Sequence, residues 1–243
     1  MGAPVKAAGH RILLYGPGGI GKTTIASRLP GPVAYFDLDD SLPRLRLDPA
    51  PLVVEVHTWA DIRTALQSDG WDDVRTIVLD SVTRAEELAI AHTLEHTAQD
   101  GKHVSSIEGY GYGKGFQYVF DTFLPLLADL DRHARAGRNV CMIAHDCTAN
   151  VPNPAGEDWL RYEPRLQSPA SGKASIRLRV REWCDHVLFL GYDVAVSKDG
   201  KGSGSGTRTL YPAELPHCMA KSRTTQEQIP IDDVDQVWPI ILK

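Results

Sequence analysis

Residues 11–24 read RILLYGPGGIGKTT, and the fold turns on this stretch. An apolar, β-rich run over residues 11–15 gives way to glycines. These lead into Lys22 and Thr23, completing the pattern GxxxxGK[ST], and a helical stretch opens at Lys22 and is ended by Pro30-Gly31-Pro32. Glycines let backbone N–H groups wrap an anion without Cβ clashes, and a helix N-terminus adds a favourable potential for phosphate. The reading is a phosphate loop formed by Gly16, Pro17, Gly18, Gly19, Ile20, Gly21, Lys22, Thr23 and Thr24. Lys22 is placed to reach the β- and γ-phosphates of ATP, Thr23 to bind Mg²⁺ through its hydroxyl, and Thr24 to contact the α-phosphate.

Outward from the loop, short apolar runs of strand length recur at residues 33–38 (VAYFDL), 52–57 (LVVEVH), 76–80 (TIVLD) and 140–144 (VCMIA). Between them lie helical periods, clearest over residues 116–135. There Phe116, Val119, Phe120, Phe123, Leu127 and Leu130 share one face, and Pro125 predicts a kink. Strands alternating with helices imply crossover connections and a sheet covered on both faces. The expected fold is therefore α/β, a P-loop NTPase with a mostly parallel central sheet. One domain fills residues 1–243, with its core at about 10–225 and a C-terminal extension over 226–243. Residues 146–175 are proline-rich and weakly periodic, which predicts a long functional loop. Further strands are expected at 186–192, 193–197, 207–211 and 218–221, with KDGKGSGSG (198–206) as a flexible hairpin tip.

The strand TIVLD ends in Asp80, and an acid there meets the metal of a phosphate loop on a neighbouring strand. Asp80 is expected to hold Mg²⁺ with Thr23. Asp37, Asp39 and Asp40 cluster after the second strand, where an acid faces the γ-phosphate and orients the attacking water; Asp39 is chosen for that base. A solvated turn or a helix cap explains the same acids. His145 ends the fifth strand, positioned to sense the γ-phosphate or to serve as a structural histidine.

Composition narrows the classes. Twenty-six Lys and Arg against thirty-one Asp and Glu give a net charge of −5, which excludes a uniformly basic nucleic-acid or membrane binder. No apolar run is long enough to span a bilayer, and no export signal opens the chain, so a cytoplasmic protein is expected. The four cysteines are spaced too widely for a CxxC pair and are expected to be reduced thiols.

Taken in order, the phosphate loop, YFDLDDS, TIVLDSVT, the long amphipathic helix, CMIAHD, the long loop and MAKSR resemble the RecA-like ATPases. More narrowly, the order is similar to the phage nucleotide-binding proteins of AAA type that include RecA-like single-strand annealing proteins. The resemblance implies an ATP- and Mg²⁺-dependent role in DNA recombination or strand annealing: it implies a ring or filament, single-stranded DNA as partner, a single-strand binding protein as a further one, and a bacterial host cytoplasm if the chain is phage-encoded. It sets Asp39 where the RecA family has a catalytic Glu, and His145 where many relatives carry Gln. Lys221 and Arg223 of AKSR resemble the paired basic residues that reach the γ-phosphate of a neighbouring subunit.

The loops after the fourth and fifth strands would then face DNA. Residues 161–181 hold Arg161, Arg165, Lys173, Arg177, Arg179 and Arg181 against Glu163 alone, a local charge of +5. Tyr162 among them is a candidate for stacking on a base. A second candidate is GYGYGKG, with Tyr110, Tyr112 and Lys114; a tight structural turn explains the same letters. HTLEH (92–96) reads as an inverted zinc-peptidase pattern without an evident third ligand. The remaining alternatives are an ATP-binding annealing scaffold with little hydrolysis, a partition-type ATPase and a small-molecule P-loop kinase.

Overall fold

A computed structural model describes residues 8–196 and 202–243. Its centre is an eight-stranded sheet. In chain order the strands are β1 (Arg11–Tyr15), β2 (Val33–Asp37), β3 (Leu52–Val53), β4 (Thr76–Asp80), β5 (Asn139–Ala144), β6 (Asp146–Val151), β7 (Trp159–Pro164), β8 (His186–Val196), β9 (Gly202–Tyr211) and β10 (Ile229–Pro230). The sheet order is β10-β9-β8-β1-β5-β4-β2-β3, while β6 and β7 form a separate antiparallel pair. From β8 to β3 every pairing is parallel; β9 and β10 extend the other edge antiparallel. This is the α/β architecture expected of a P-loop NTPase.

Strand side chains alternate between two cores. Leu13 and Tyr15 of β1, Ile77 and Leu79 of β4, and Val140 and Met142 of β5 enter one core with helices α2 (Trp59–Gln67), α3 (Val82–His96), α4 (Lys114–Arg135) and α5 (Ile176–Trp183). Ile12 and Leu14, Val78, and Cys141 and Ile143 enter the other, with α1 (Lys22–Ala26) and α6 (Val237–Ile241). A period of two buried on both faces is why these strands read as unbroken apolar runs. In α4, Val119, Phe123, Leu126, Leu127, Leu130 and Ala134 recur at helical spacing and are buried, and the helix continues through Pro125.

Several expectations change. Residues 146–175 are only in part the loop expected: β6 and β7 pair from Asp146 with Pro164 to Val151 with Trp159, while residues 165–175 hold no strand or helix. The expected strands at 186–192 and 193–197 are one element up to Val196, β8, with an irregularity between Tyr192 and Val194, and residue 197 lies outside the described residues. Of the hairpin tip, residues 198–201 lie outside the described residues, while Gly202 onward belongs to β9. Residues 218–221 form only isolated bridges, Lys221 with Val187 among them. The segment 226–243 is built into the domain, because β10 pairs with β9 and the Trp238 indole donates to Ile25 O at 2.7 Å. Among the described residues no helix is long and apolar enough to cross a membrane.

Candidate active site

The C-terminal ends of β1, β5, β4 and β2 lie side by side. Tyr15 is in register with Ala144, Asp80 with Ile143, and Asp37 with Asp80. Loops leaving these strands therefore converge over one edge of the sheet, the place where open α/β sheets bind ligands. Here they enclose a cavity of about 440 Å³ lined by Lys22, Thr23, Thr24, Asp39, Asp80 and His145, together with the loop glycines Gly18, Gly19 and Gly21. Residues far apart in sequence are thus brought together as the motif order anticipated.

Two glycines show why the loop has its composition. At Gly16 a Cβ would stand 2.2 Å from Leu190 O on β8, so the chain passes too close for any side chain. Gly21 has φ 102°, a conformation that L side chains rarely adopt, just before α1 begins. Ile20 is anchored in the core, so its part in the loop falls to the backbone. Lys22 is 7% exposed, and its ammonium donates to Gly16 O at 2.7 Å and Pro17 O at 2.8 Å. Burial pushes its pKa down, and Asp80, Asp146 and Asp39 oppose that shift.

Thr23 Oγ1 donates to Asp80 Oδ2 at 2.6 Å. Burial raises the Asp80 pKa to about 6 against the opposing hydrogen bond from Thr23, and Asp39 and Asp37 add to the rise. A hydroxyl and a carboxylate in contact, with a further carboxylate lining the same cavity, form a hard oxygen donor set that fits Mg²⁺. The same two residues were the sequence's choice for the metal. Ser81 caps α3 by accepting from Arg84 N at 3.2 Å, which fixes where β4 ends and so where Asp80 stands.

Of the three acids after β2, Asp37 holds a turn. Its carboxylate accepts from Ser41 N at 2.9 Å and Leu42 N at 3.0 Å. Asp40 has φ 51° and offers its carbonyl to Arg44. Asp39 lines the cavity and accepts from His145 Nε2 at 3.3 Å. That hydrogen bond, with one from Ser81, holds the Asp39 carboxyl below the usual range despite its partial burial. His145 N in turn donates to Thr83 Oγ1 at 3.1 Å, and Thr83 Oγ1 donates to Arg165 O at 3.3 Å. Arg165 N donates to His145 O at 2.9 Å.

The other expected site residues are elsewhere. Lys221 pairs with Val187 at the start of β8, and Arg223 Nε donates to Asp185 Oδ1 at 2.8 Å. Because β8 runs parallel to β1, these cations stand at the end of the sheet away from their own phosphate loop. The arginine-rich segment is largely neutralised. Arg161 bonds Glu163 and Glu214, Arg177 bonds Glu163, and Arg181 bonds Glu214, while Arg179 lies 3.7 Å from Glu182. The +5 count omitted Glu182 and Glu214, which lie outside residues 161–181, so most of the arginines expected to face DNA lie in an internal ion network. Tyr162 is half-exposed and stacks on Phe189 at 5.1 Å. Tyr110 is corrected from a DNA contact to a core residue: it is 2% exposed and its hydroxyl donates to Thr97 O at 2.7 Å. Tyr112 is fully exposed, and Arg165, Lys173 and Lys114 have no carboxylate partner among the described residues. His92 and His96 stack on each other at 4.0 Å.

Two residues at the site were missed by sequence reasoning. Arg44 lines the cavity from a short turn at Leu42–Arg44, and Arg208 on β9 donates from Nη1 to Ile20 O of the phosphate loop at 2.8 Å. Neither carries a motif; only the sheet order brings β9 to the loop.

No curated protein matches this sequence. Among solved structures, the flagellar accessory protein FlaH from Methanocaldococcus jannaschii is similar at 11% identity, covering 84% of this chain and 78% of that chain, with a TM-score of 0.42. The family model described as AAA domain matches residues 8–224. That span runs from before β1 to beyond β9 and takes in the phosphate loop, Asp39, Asp80 and His145. The chain belongs to the AAA domain family.

Proposed function

We propose that the protein is a Mg²⁺-dependent ATPase that couples nucleotide state to single-stranded DNA. The observation that carries the enzymatic part is the convergence of Lys22, Thr23, Asp80, Asp39 and His145 on one cavity. Lys22 binds and orients the β- and γ-phosphates from the head of α1. Thr23 and Asp80 hold Mg²⁺, which supplies neutralisation of phosphate charge when bound. Asp39, kept ionised at neutral pH by His145 and Ser81, accepts a hydrogen bond from water and aligns it toward the γ-phosphate. His145 holds that carboxylate in place.

The DNA part is supported by a relay. Thr83 joins His145 N to Arg165 O, and Gln167 Nε2 donates to Phe116 O at 2.9 Å and Ala174 O at 2.8 Å. The exposed groups Arg165, Lys173, Tyr112 and Lys114 therefore belong to segments tied to each other and to the γ-phosphate side of the site. Cations of this kind neutralise DNA phosphates, and an exposed tyrosine stacks on an unpaired base.

ATP turnover measured with and without single-stranded DNA at two salt concentrations, with particle size followed alongside, tests the whole reading. DNA-stimulated phosphate release that weakens with salt is expected. Nucleotide binding without turnover would favour an annealing scaffold, and transfer of phosphate to a small molecule would favour a kinase.

A further inference from the structure

The phosphate loop is braced from outside its own motif. Arg208 stands on β9, across from Tyr192 in β8, with its carbonyl accepting from Ile231 N at 2.8 Å. Both neighbours of β9 therefore fix its backbone. From this base the guanidinium reaches Ile20 O at 2.8 Å. A Cβ built on Gly21 would lie 2.6 Å from Arg208 Nη1, so the guanidinium occupies the space a side chain at 21 would need. These are two independent marks of one close packing.

We infer that Arg208 is a positioning residue for nucleotide binding, an inference that rests on the ATP-binding reading of this site. In a trans peptide the C=O and N–H point in opposite directions. A donor that holds Ile20 O on the β9 side therefore fixes the Gly21 N–H toward the opposite side, where the phosphate loop receives its anion. Glycine at 21 makes the brace necessary, because with φ 102° and no Cβ the Ile20–Gly21 peptide has little local restraint of its own. The guanidinium also adds a fixed positive charge against the cradle, and no carboxylate pairs with it among the described residues. Both effects act on bound phosphate in substrate and product alike. The loss on removing Arg208 should appear in affinity for ATP and ADP equally, and little in the chemical step.

The test is Mg-ATP and Mg-ADP titration by calorimetry, with turnover in parallel, for the wild-type protein, Arg208→Ala and Arg208→Lys. Loss of one charge-assisted hydrogen bond at the loop should weaken both nucleotides by about tenfold in Arg208→Ala and raise KM similarly, with kcat within about threefold. Arg208→Lys, which keeps a cation and a donor, should recover most of the affinity. If Arg208→Ala fails to fold, Arg208→Gln carries the same comparison, because its shorter neutral side chain cannot span to Ile20 O. Unchanged affinity in Ala or Gln, a loss confined to kcat, or a Lys variant as weak as Ala would overturn the inference while leaving the site's ATP binding intact. Failure of the wild-type protein to bind either nucleotide would overturn the ATP-binding reading itself and the inference with it.

Discussion

Positive charge is gathered at the phosphate loop and in residues 161–181 on opposite principles. At the phosphate loop, Lys22 donates to two backbone carbonyls and Arg208 to a third, and among the described residues neither cation has a contacting carboxylate. In residues 161–181 the arginines are more numerous, yet Glu163 and Glu214 hold Arg161, Arg177 and Arg181. The first arrangement leaves a potential for an anion to use. The second consumes its own potential in joining β7, α5 and the segment after β9. A count of charges in sequence does not separate these cases; the pairing does.

The strongest way to break the contrast is at its reactive end. Lys22→Ala removes the one buried ammonium that the loop presents to phosphate, and ATP turnover should fall by about 10³-fold. A turnover assay checks this, and normal activity in the variant would end the assignment of the loop. The counterpart at the neutralised end is Glu163→Ala. Glu163, Arg161 and Arg177 have side chains only 8%, 11% and 13% exposed. Removing the shared carboxylate takes from Arg177 its carboxylate partner and leaves Arg161 with Glu214 alone, and the expected loss is about 3 kcal/mol of stability in urea unfolding. Nucleotide affinity should be unchanged in the folded variant. An unaltered unfolding midpoint would show that the arginines are solvated after all.

This contrast also marks what the sequence could show. The phosphate loop was readable because its chemistry is local: glycines, lysine and threonine act within one turn between β1 and α1. Asp80 and Asp39 followed because strand ends are marked by the end of an apolar run. The alternation of Ile12 and Leu14 with Leu13 and Tyr15 between two cores was implied by burial on both faces. The ion network was not readable, since Glu214 meets Arg161 and Arg181 across tens of residues, and Glu182 lies one residue past the counted window. Tyr110 between glycines reads equally as a DNA contact or a tight turn. Its burial depends on α3, where the carbonyls of Thr93 and Thr97 receive its hydroxyl. Arg208 was invisible for the same reason: sheet order, not spacing, brings it to the loop.

A smaller effect is expected where the two regions meet. Glu86 on α3 accepts from Gln167 N at 2.7 Å and is 8% exposed. Burial raises its pKa to about 7, with Gln167 N and Arg177 opposing the rise. The folded state therefore holds this proton more tightly than the unfolded chain, whose carboxyl titrates near 4.5. The contribution favours the fold below pH 4.5 and is lost as pH rises through about 7. Glu86→Gln keeps an acceptor for Gln167 N and removes the charge, so at pH 8 it should stabilise the protein by about 2 kcal/mol. The gain should vanish below pH 4.5, and thermal melts at both ends of that window check the sign.

The finest distinction concerns which cations would face DNA under the proposed function. If pairing rather than number decides, Arg177 and Arg181 contribute little to DNA binding, because Glu163 and Glu214 already occupy them. Arg165 and Lys173, unpaired among the described residues, should carry it. Each cation that releases counterions from a phosphate of single-stranded DNA contributes about 0.7 to the slope of log affinity against log salt. Arg165→Ala with Lys173→Ala should therefore flatten that slope by about 1.4 for single-stranded DNA, a change of less than tenfold in affinity over a narrow salt range. Arg181→Ala should leave the slope within about 0.5 of wild type. Titration of labelled single-stranded DNA at four salt concentrations separates the two patterns. The reverse pattern, a slope lowered by Arg181→Ala and not by the Arg165 and Lys173 pair, would mean that DNA opens the ion network and takes its arginines from Glu214.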